Sequence, residues 1–364
     1  MKKLSTRAIA SVVALAFVAA ACGTSDADQS ASASDCVAGA TDGNLNLYNW
    51  TDYIDSALIA AFEAEYGVQV VEDFYASNEE MLAKIVQGGT NYDVVVPSDY
   101  MITIMREENL LLELNHAALA NLTNVAEEFA NPAYDPGLQV SVPYLWGTTG
   151  LGINVDLLGD VEPSWDLVFD PETARALPGR VVLLDDPRET LGAALFWLGY
   201  SPNTTDLNEL NEAADVVSQA REWIATFDST LYGDLVVSGE VVIAHGYSGN
   251  LLEAFGDDER FAYLVPKEGA TLWTDNMAVL ANAPHPCTAH TFIDFILRPE
   301  IHAALTNYIY YPAPNTAANA FVDPDILADP SVYPPADVLD RLLFLDDTGD
   351  FEPEYANAFL RATS

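Results

Sequence analysis

The chain has 364 residues, half of them hydrophobic, and carries 55 acidic against 14 basic side chains, a formal charge of −41. That apolar content excludes a disordered chain, and the length exceeds what one core usually holds, so two lobes are expected. The charge repels nucleic acid and draws in cations, although it serves solubility equally well and alone selects no ligand.

Lys2, Lys3 and Arg7 precede an apolar run over residues 9–17, and Val18-Ala19-Ala20-Ala21-Cys22 follows. This is the order of a secretory signal, and the run is too short to span a bilayer. Small residues directly before a cysteine resemble a bacterial lipobox, in which the Cys22 thiol is acylated and becomes the new N-terminus. The expectation is a signal peptide over 1–21, a flexible tether over 22–43 rich in Ser, Ala, Asp and Gly, and an extracytoplasmic domain held to the cell membrane by lipid. An ordinary signal peptide cut near Ala21 is the alternative. Of three cysteines, Cys36 and Cys287 remain. In an oxidising compartment they either pair, stapling the tail to the first lobe, or stay as free thiols.

Residues 45–49 read as a strand, and Asp55 and Ser56 start a helix that ends at Gly67. A second strand covers 68–74. Ser77-Asn78-Glu79-Glu80 has the form of a capping box, opening a helix that stops at Gly88. Asp93 to Pro97 is a third strand, apolar as a buried parallel strand is. This β-α-β-α-β order begins an open, doubly wound α/β sheet. The pattern restarts after Gly147-Thr148-Thr149-Gly150, with a strand over 180–185, a helix over 189–198 and a longer helical region over 207–227. Strands at 240–245, 261–266 and 277–282 and helices at 250–255, 289–297 and 299–308 complete it. The Pro-rich tail from Ala313 reads as short helical pieces.

In open α/β sheets ligands bind beyond the carboxyl ends of the strands. What stands there is Trp50, Thr51, Asp52 and Tyr53 after the first strand, and Ser98, Asp99 and Tyr100 after the third. Asp186 and Glu189 follow the 180–185 strand, and Tyr247 follows the next. Trp273 and Asp275 flank a crossing point between lobes, and Tyr310 and Tyr311 precede Pro312. Aromatics and carboxylates dominate, with Arg188 the one basic exception. A phosphate or carboxylate ligand would need Arg, Lys or a glycine-rich helix start. Aromatic faces beside acids suit an organic ammonium, through cation–π attraction and charged hydrogen bonds, and point to an aliphatic polyamine. Taken singly, each aromatic is more often a core or rim residue than a ligand wall, Asp186 is equally a helix cap, and Asp275 is also readable as a turn residue.

Leu47-Tyr48-Asn49-Trp50-Thr51-Asp52-Tyr53, Asp93 to Ser98, Val142-Pro143-Tyr144-Leu145-Trp146-Gly147, Pro266-Lys267-Glu268-Gly269 and Tyr311-Pro312-Ala313-Pro314-Asn315 together resemble the bacterial spermidine/putrescine-binding proteins of ABC importers. The resemblance runs from Asn44 to about Gly349. It implies a two-lobed periplasmic-binding-protein-like fold of type II, each lobe a mixed doubly wound sheet flanked by helices. The first lobe would comprise residues 44–148 and 275–318, and the second 149–274 and 319–364. They would hinge at crossings near 147–152, 273–276 and 315–321. It implies ligand contacts from Trp50, Asp52, Tyr53, Tyr100, Asp186, Glu189, Tyr247, Trp273, Asp275 and Tyr311, with Ser229 a minor one. Two positions depart from the family pattern. A tryptophan of the spermidine type is Tyr247 here, and a glutamine near the C-terminus is Leu345. Retention of Asp186 and Trp273 resembles the spermidine-preferring members rather than the putrescine-selective ones. Four acids against three ammonium groups also fit a triamine better than a diamine.

The implied role is capture of spermidine or putrescine by a monomeric trap that closes on its ligand and delivers it to a permease and its ATPase. No cofactor, metal or nucleic acid is implied. The same fold holding another organic cation, or presenting polyamine to a receptor, is the alternative. Catalysis is disfavoured: Asp186 and Glu189 are neighbours on one element rather than acids facing each other across a substrate. No nucleophile elbow, zinc helix or Walker loop occurs. His116, His245, His285, His290 and His302 have no metal spacing. Tyr310-Tyr311 resembles the paired tyrosines of iron-binding relatives, without the histidine and glutamate that would complete such a site.

Overall fold

The computed structural model describes residues 33–88 and 91–364; the signal segment, Cys22 and the first half of the expected tether lie outside the described residues. The first lobe opens with β1 (Leu45–Trp50), α1 (Ser56–Tyr66), β2 (Val70–Tyr75), α2 (Asn78–Gln87), β3 (Val94–Val95) and α3 (Asp99–Glu107). β1 pairs in parallel with both β2 and β3, so all three present their carboxyl ends to the same edge. Local chemistry sets the helix limits. The Asp55 carboxylate accepts from the Ala57 N–H, and α1 stops at Gly67 in the left-handed region, φ 69°. Ser77 accepts from the Glu80 N–H at 3.1 Å. The Glu80 carboxylate returns a bond to the Ala76 N–H at 3.0 Å, one residue earlier than a capping box predicts.

The largest departure from the sequence expectation is β4 (Ser141–Asn154), a single strand of 14 residues. Gly147-Thr148-Thr149-Gly150, expected to end one lobe and restart the next, lies in its middle. The glycines are there because neighbours crowd the backbone, not because the chain turns. A Cβ at Gly147 would come within 2.6 Å of the Trp273 ring, and one at Gly150 within 2.5 Å of the Leu264 carbonyl oxygen. Residues 141–148 pair antiparallel with β9 (Ala270–Val279). Residues 149–154 pair with β7 (Ile243–Tyr247) and β8 (Phe261–Leu264). One strand therefore serves both lobes. β9 does the same, pairing with β3 at one end and with β10 (Leu342–Leu343) at the other. It starts at Ala270 rather than Met277, so Trp273 and Asp275 are strand residues two apart and share a face.

The second lobe holds β5 (Val181–Leu183), α4 (Pro187–Leu198), α5 (Leu207–Ala220), β6 (Ile224–Phe227), α6 (Tyr232–Val237), β7, α7 (Ser248–Phe255) and β8. The long helix expected over 207–227 ends at Ala220. Beyond it Ile224, Thr226 and Phe227 pair in parallel with β5, because β-branched and aromatic residues fit a pleated strand. The principal sheet path runs β2-β1-β3-β9-β4-β7-β5-β6, with β10 and β8 attached to β9 and β4. Helices α8 (Pro286–Ile296) and α9 (Pro299–Ile309) return to the first lobe, and α10 (Glu352–Thr363) packs on α4 and α5. Residues 315–321, expected as a third crossing, stay on the first lobe. The Asn315 amide donates to the Leu297 carbonyl at 3.0 Å, and Ala318 and Val322 bury against Ala303 of α9. Their small apolar side chains suit that contact, and the chain meets the second lobe later, at β10 and α10.

Two main cores result. One gathers Phe62, Met277, Phe292 and Ile293; the other gathers Ile153, Val181, Leu191, Val217 and Phe359. Cys36 and Cys287 form a disulfide across 251 residues of sequence. Beside it the Asp42 carboxylate accepts from the N–H groups of Cys287 and Thr288, at 3.2 and 2.9 Å. The tail thereby caps α8, whose preceding residue His285 makes no cap bond. This anchorage lies at the Leu45 end of β1, away from its carboxyl end.

Candidate functional site

Between the lobes lies a cleft of about 940 Å³ including its mouth, the size of a small-molecule site. All ten residues expected to contact ligand line it: Trp50, Asp52, Tyr53, Tyr100, Asp186, Glu189, Tyr247, Trp273, Asp275 and Tyr311. β1 delivers the first three as it ends. The Trp50 indole N–H donates to the Val96 carbonyl at 2.8 Å, which fixes the ring. Asp52 is exposed at the mouth, in the left-handed region with φ 54°. The Tyr53 hydroxyl donates to Asp275 Oδ2 at 2.8 Å, and Ser98 Oγ donates to Oδ1 at 2.7 Å. Tyr100, in the first turn of α3, donates to Glu79 at 2.9 Å. Asp186 caps α4, its Oδ1 accepting from the N–H groups of Arg188 and Glu189 at 2.9 and 3.0 Å. Capping and lining the cleft are thus one geometry, since the helix start faces the gap.

The aromatics form a continuous edge-to-face series across both lobes. Tyr232 meets Tyr247 with ring centroids 6.3 Å apart, Tyr247 meets Trp273 at 5.9 Å, Trp273 meets Tyr311 at 5.0 Å, and Tyr311 meets Tyr53 at 5.6 Å. Edge-to-face pairing holds each ring by its neighbours. Tyr311 also ties the lobes together. Its hydroxyl donates to Asn250 Oδ1 at 2.7 Å and accepts from the Asn250 N–H at 3.2 Å.

The electrostatics are those of buried acids short of cations. Burial pushes Asp275 up to about 7 against the pull of the Ser98 and Tyr53 hydrogen bonds. Burial, reinforced by Asp186, pushes Glu189 up to about 8, against the pull of the nearby Thr271 and Thr149 hydroxyls. Glu189 Oε1 accepts from Thr149 at 3.0 Å, whereas Oε2 is buried with no partner among the described residues. Burial also raises Asp186, opposed by its two backbone donors, and lifts Asp99 to about 8. Arg188 is the single cation among the lining residues. It is committed elsewhere: it pairs with Glu352, donates to Asn203 at 2.9 Å and to the Asp346 carbonyl at 3.1 Å, and stacks 4.5 Å from the Tyr355 ring centroid.

Sequence reasoning missed Tyr75, Asn78, Tyr232 and Asn250, which also line the cleft. Tyr75 closes β2 one residue beyond the expected strand end, so the strand-end rule would have found it with a correct boundary. Tyr232 and Asn250 sit in the first turns of α6 and α7, where no sequence signal marks them. Ser229 and Leu345 line the cleft as well, Leu345 buried among Tyr48, Tyr75 and Tyr100. Among the described residues no cluster of His, Cys, Asp or Glu could hold a metal ion, and no helix is long and apolar enough to cross a membrane.

The family model for bacterial extracellular solute-binding proteins matches residues 57–334. A putrescine/cadaverine-binding protein of Pseudomonas aeruginosa is 36% identical over 312 residues, covering 83% of this chain and 88% of that protein. A spermidine/putrescine-binding periplasmic protein of Salmonella typhimurium is 35% identical over 314 residues, covering 85% and 89%. A solved structure assigned to a spermidine/putrescine ABC transporter from Listeria monocytogenes is 36% identical, with a TM-score of 0.84, over 88% of this chain and 99% of that one. A lipoprotein of Treponema pallidum is 32% identical, with a TM-score of 0.77, over 87% and 98%. These neighbours share the two-lobed fold.

Proposed function

Because this chain belongs to the bacterial extracellular solute-binding proteins, we propose that it captures linear polyamines outside the cytoplasm and hands them to an ABC importer, with spermidine preferred over putrescine. The observation that carries this reading is the set of buried carboxylates, Asp186, Glu189 and Asp275, held among aromatic rings with a single, already committed cation. Isolated buried carboxylates are costly, so the missing positive charge arrives with the ligand. Protonated amines supply it, and their methylenes lie against Trp50, Trp273, Tyr247 and Tyr311. Names of relatives support polyamine capture but divide between putrescine and spermidine. The preference rests on charge matching: with Asp52 at the mouth, the acids suit three ammonium groups better than two.

In this reading the lobes correspond to the two cores and turn about β4 and β9, the strands they share, with a third passage in the segment between Val322 and α10. Contacts made by both lobes at once favour the closed form, which a permease and its ATPase would then engage. The domain acts as a monomer, anchored to the membrane through Cys22, and releases its ligand chemically unchanged. Calorimetric titration of the mature protein with putrescine, spermidine and spermine tests the proposal, with spermidine expected to bind tightest. Tighter binding of putrescine would remove the preference and leave polyamine capture standing. Absence of binding by all three, or turnover of any of them, would overturn the capture reading.

A further inference from the structure

Tyr232 opens α6 on the second-lobe wall of the cleft and is 2% exposed. Its ring edge presses on Gly246 of β7, where a Cβ would come within 2.3 Å of it, and it meets Tyr247 edge-on. The ring is held from two sides, yet its hydroxyl is buried without a hydrogen-bond partner among the described residues. Ser229 Oγ, on the same wall, is in the same condition. Burial raises the Tyr232 phenol, and the Tyr247 backbone N–H, short of hydrogen-bond geometry, only partly offsets it. Glu189 belongs to the same stretch of wall: its Oε1 accepts from Thr149, the strand partner of Tyr247. Native structures rarely leave such groups unsatisfied without a use.

The sequence supplies a reason for the arrangement. Where the resemblance implies a tryptophan, this chain has Tyr247, and the Tyr232 ring packs beside it over the bare backbone of Gly246. A primary alkylammonium has three N–H donors to place, more than the two lone pairs of the free Glu189 Oε2 accept. We infer that Tyr232, together with the Ser229 contact that the resemblance already implies, forms a neutral hydroxyl subsite on the Glu189 side of the cleft, accepting hydrogen bonds from one ammonium group of a linear polyamine. This deepens, and rests on, the polyamine reading above. The subsite adds acceptors without adding negative charge, so it raises the number of ammonium contacts while leaving the charge balance of the cleft unchanged.

Tyr232→Phe removes only the hydroxyl. Spermidine affinity, read by calorimetry on the mature protein, should fall about tenfold, as expected for loss of a hydrogen bond to a charged donor. The melting temperature of the ligand-free protein should hold or rise, because an unsatisfied buried group has gone. Ser229→Ala, at a half-exposed position, should weaken binding in the same direction by a smaller factor. Unchanged affinity in Y232F, or a melting temperature that falls together with affinity, or failure of Y232F to fold, would each show a structural role and overturn the inference. A wild-type protein that binds no polyamine in the same titration would instead overturn the parent reading.

Discussion

Asp275 is buried, accepts from two hydroxyl groups, and still sits at about 7; hydroxyl dipoles do not replace a counter-charge. Asp275→Asn keeps the shape and removes the charge, so polyamine affinity should drop by about tenfold to a hundredfold. Trp273→Ala should lower it by at least about tenfold through lost ring contact; calorimetry checks both. The pH dependence has a defined sign. Binding an ammonium needs the carboxylate forms, so affinity should decline as pH falls through about 8 and 7, where Glu189 and Asp275 take up protons, and protons should be released on binding at neutral pH. The ligand-free protein behaves oppositely. Both folded-state values lie above the ordinary carboxylate range, so their stabilising contribution is full below about pH 4, declines as pH rises from there, and is gone above about 8. Melting temperature should therefore decline over that window without ligand and flatten with it. Nine of the ten expected contacts were legible because each stands in or just after a strand; Tyr311, just past the end of α9, was legible only through the resemblance. Tyr232 and Asn250 were not legible, since neither directly follows a strand end that the sequence marks, and tertiary placement alone turns them to the cleft.

Bare backbone is what lets the second lobe and the crossing strands carry this aromatic wall. Gly147 lies under Trp273 and Gly249 under Tyr311, with Gly249 also 2.4 Å, by an added Cβ, from the Ile309 carbonyl oxygen. A ring can swing aside, but that carbonyl belongs to α9 and cannot. Gly249→Ala should therefore destabilise the fold by about 1–3 kcal/mol, measured by denaturant unfolding. Gly147→Ala should mainly weaken ligand binding by displacing Trp273. The same glycines explain why elements were harder to read than residues. Gly147-Thr148-Thr149-Gly150 has turn composition, and only the rings opposite it reveal a strand interior. The 207–227 helix was overextended because Val217, Ala220 and Ile224 keep apolar spacing past the true end, while pairing with β5 decides the outcome. The helix caps at Asp55, Ser77 and Asp186 were readable because capping is local chemistry.

Two lobes follow from chain length and were expected, but the path of the third passage was not, because it depends on which surface the alanine-rich 316–320 segment covers. The disulfide between the tail and α8 closes 251 residues. Cys36→Ser with Cys287→Ser should lower the melting temperature by about 5–10 °C while leaving polyamine affinity near wild type, since the bond lies remote from the cleft. The formal charge of −41 acts over long range and is screened within about 10 Å at 0.1 M salt. Stopped-flow measurement should accordingly show ionic strength slowing association with cationic ligand more than it speeds dissociation. The placement of the tail has a practical corollary. β1 has six residues, so its two ends lie about 20 Å apart, with the pinned tail at one and the opening at the other. A sensor chip that grips the protein by its N-terminus would leave the opening facing bulk solution, ready to report amines without relabelling.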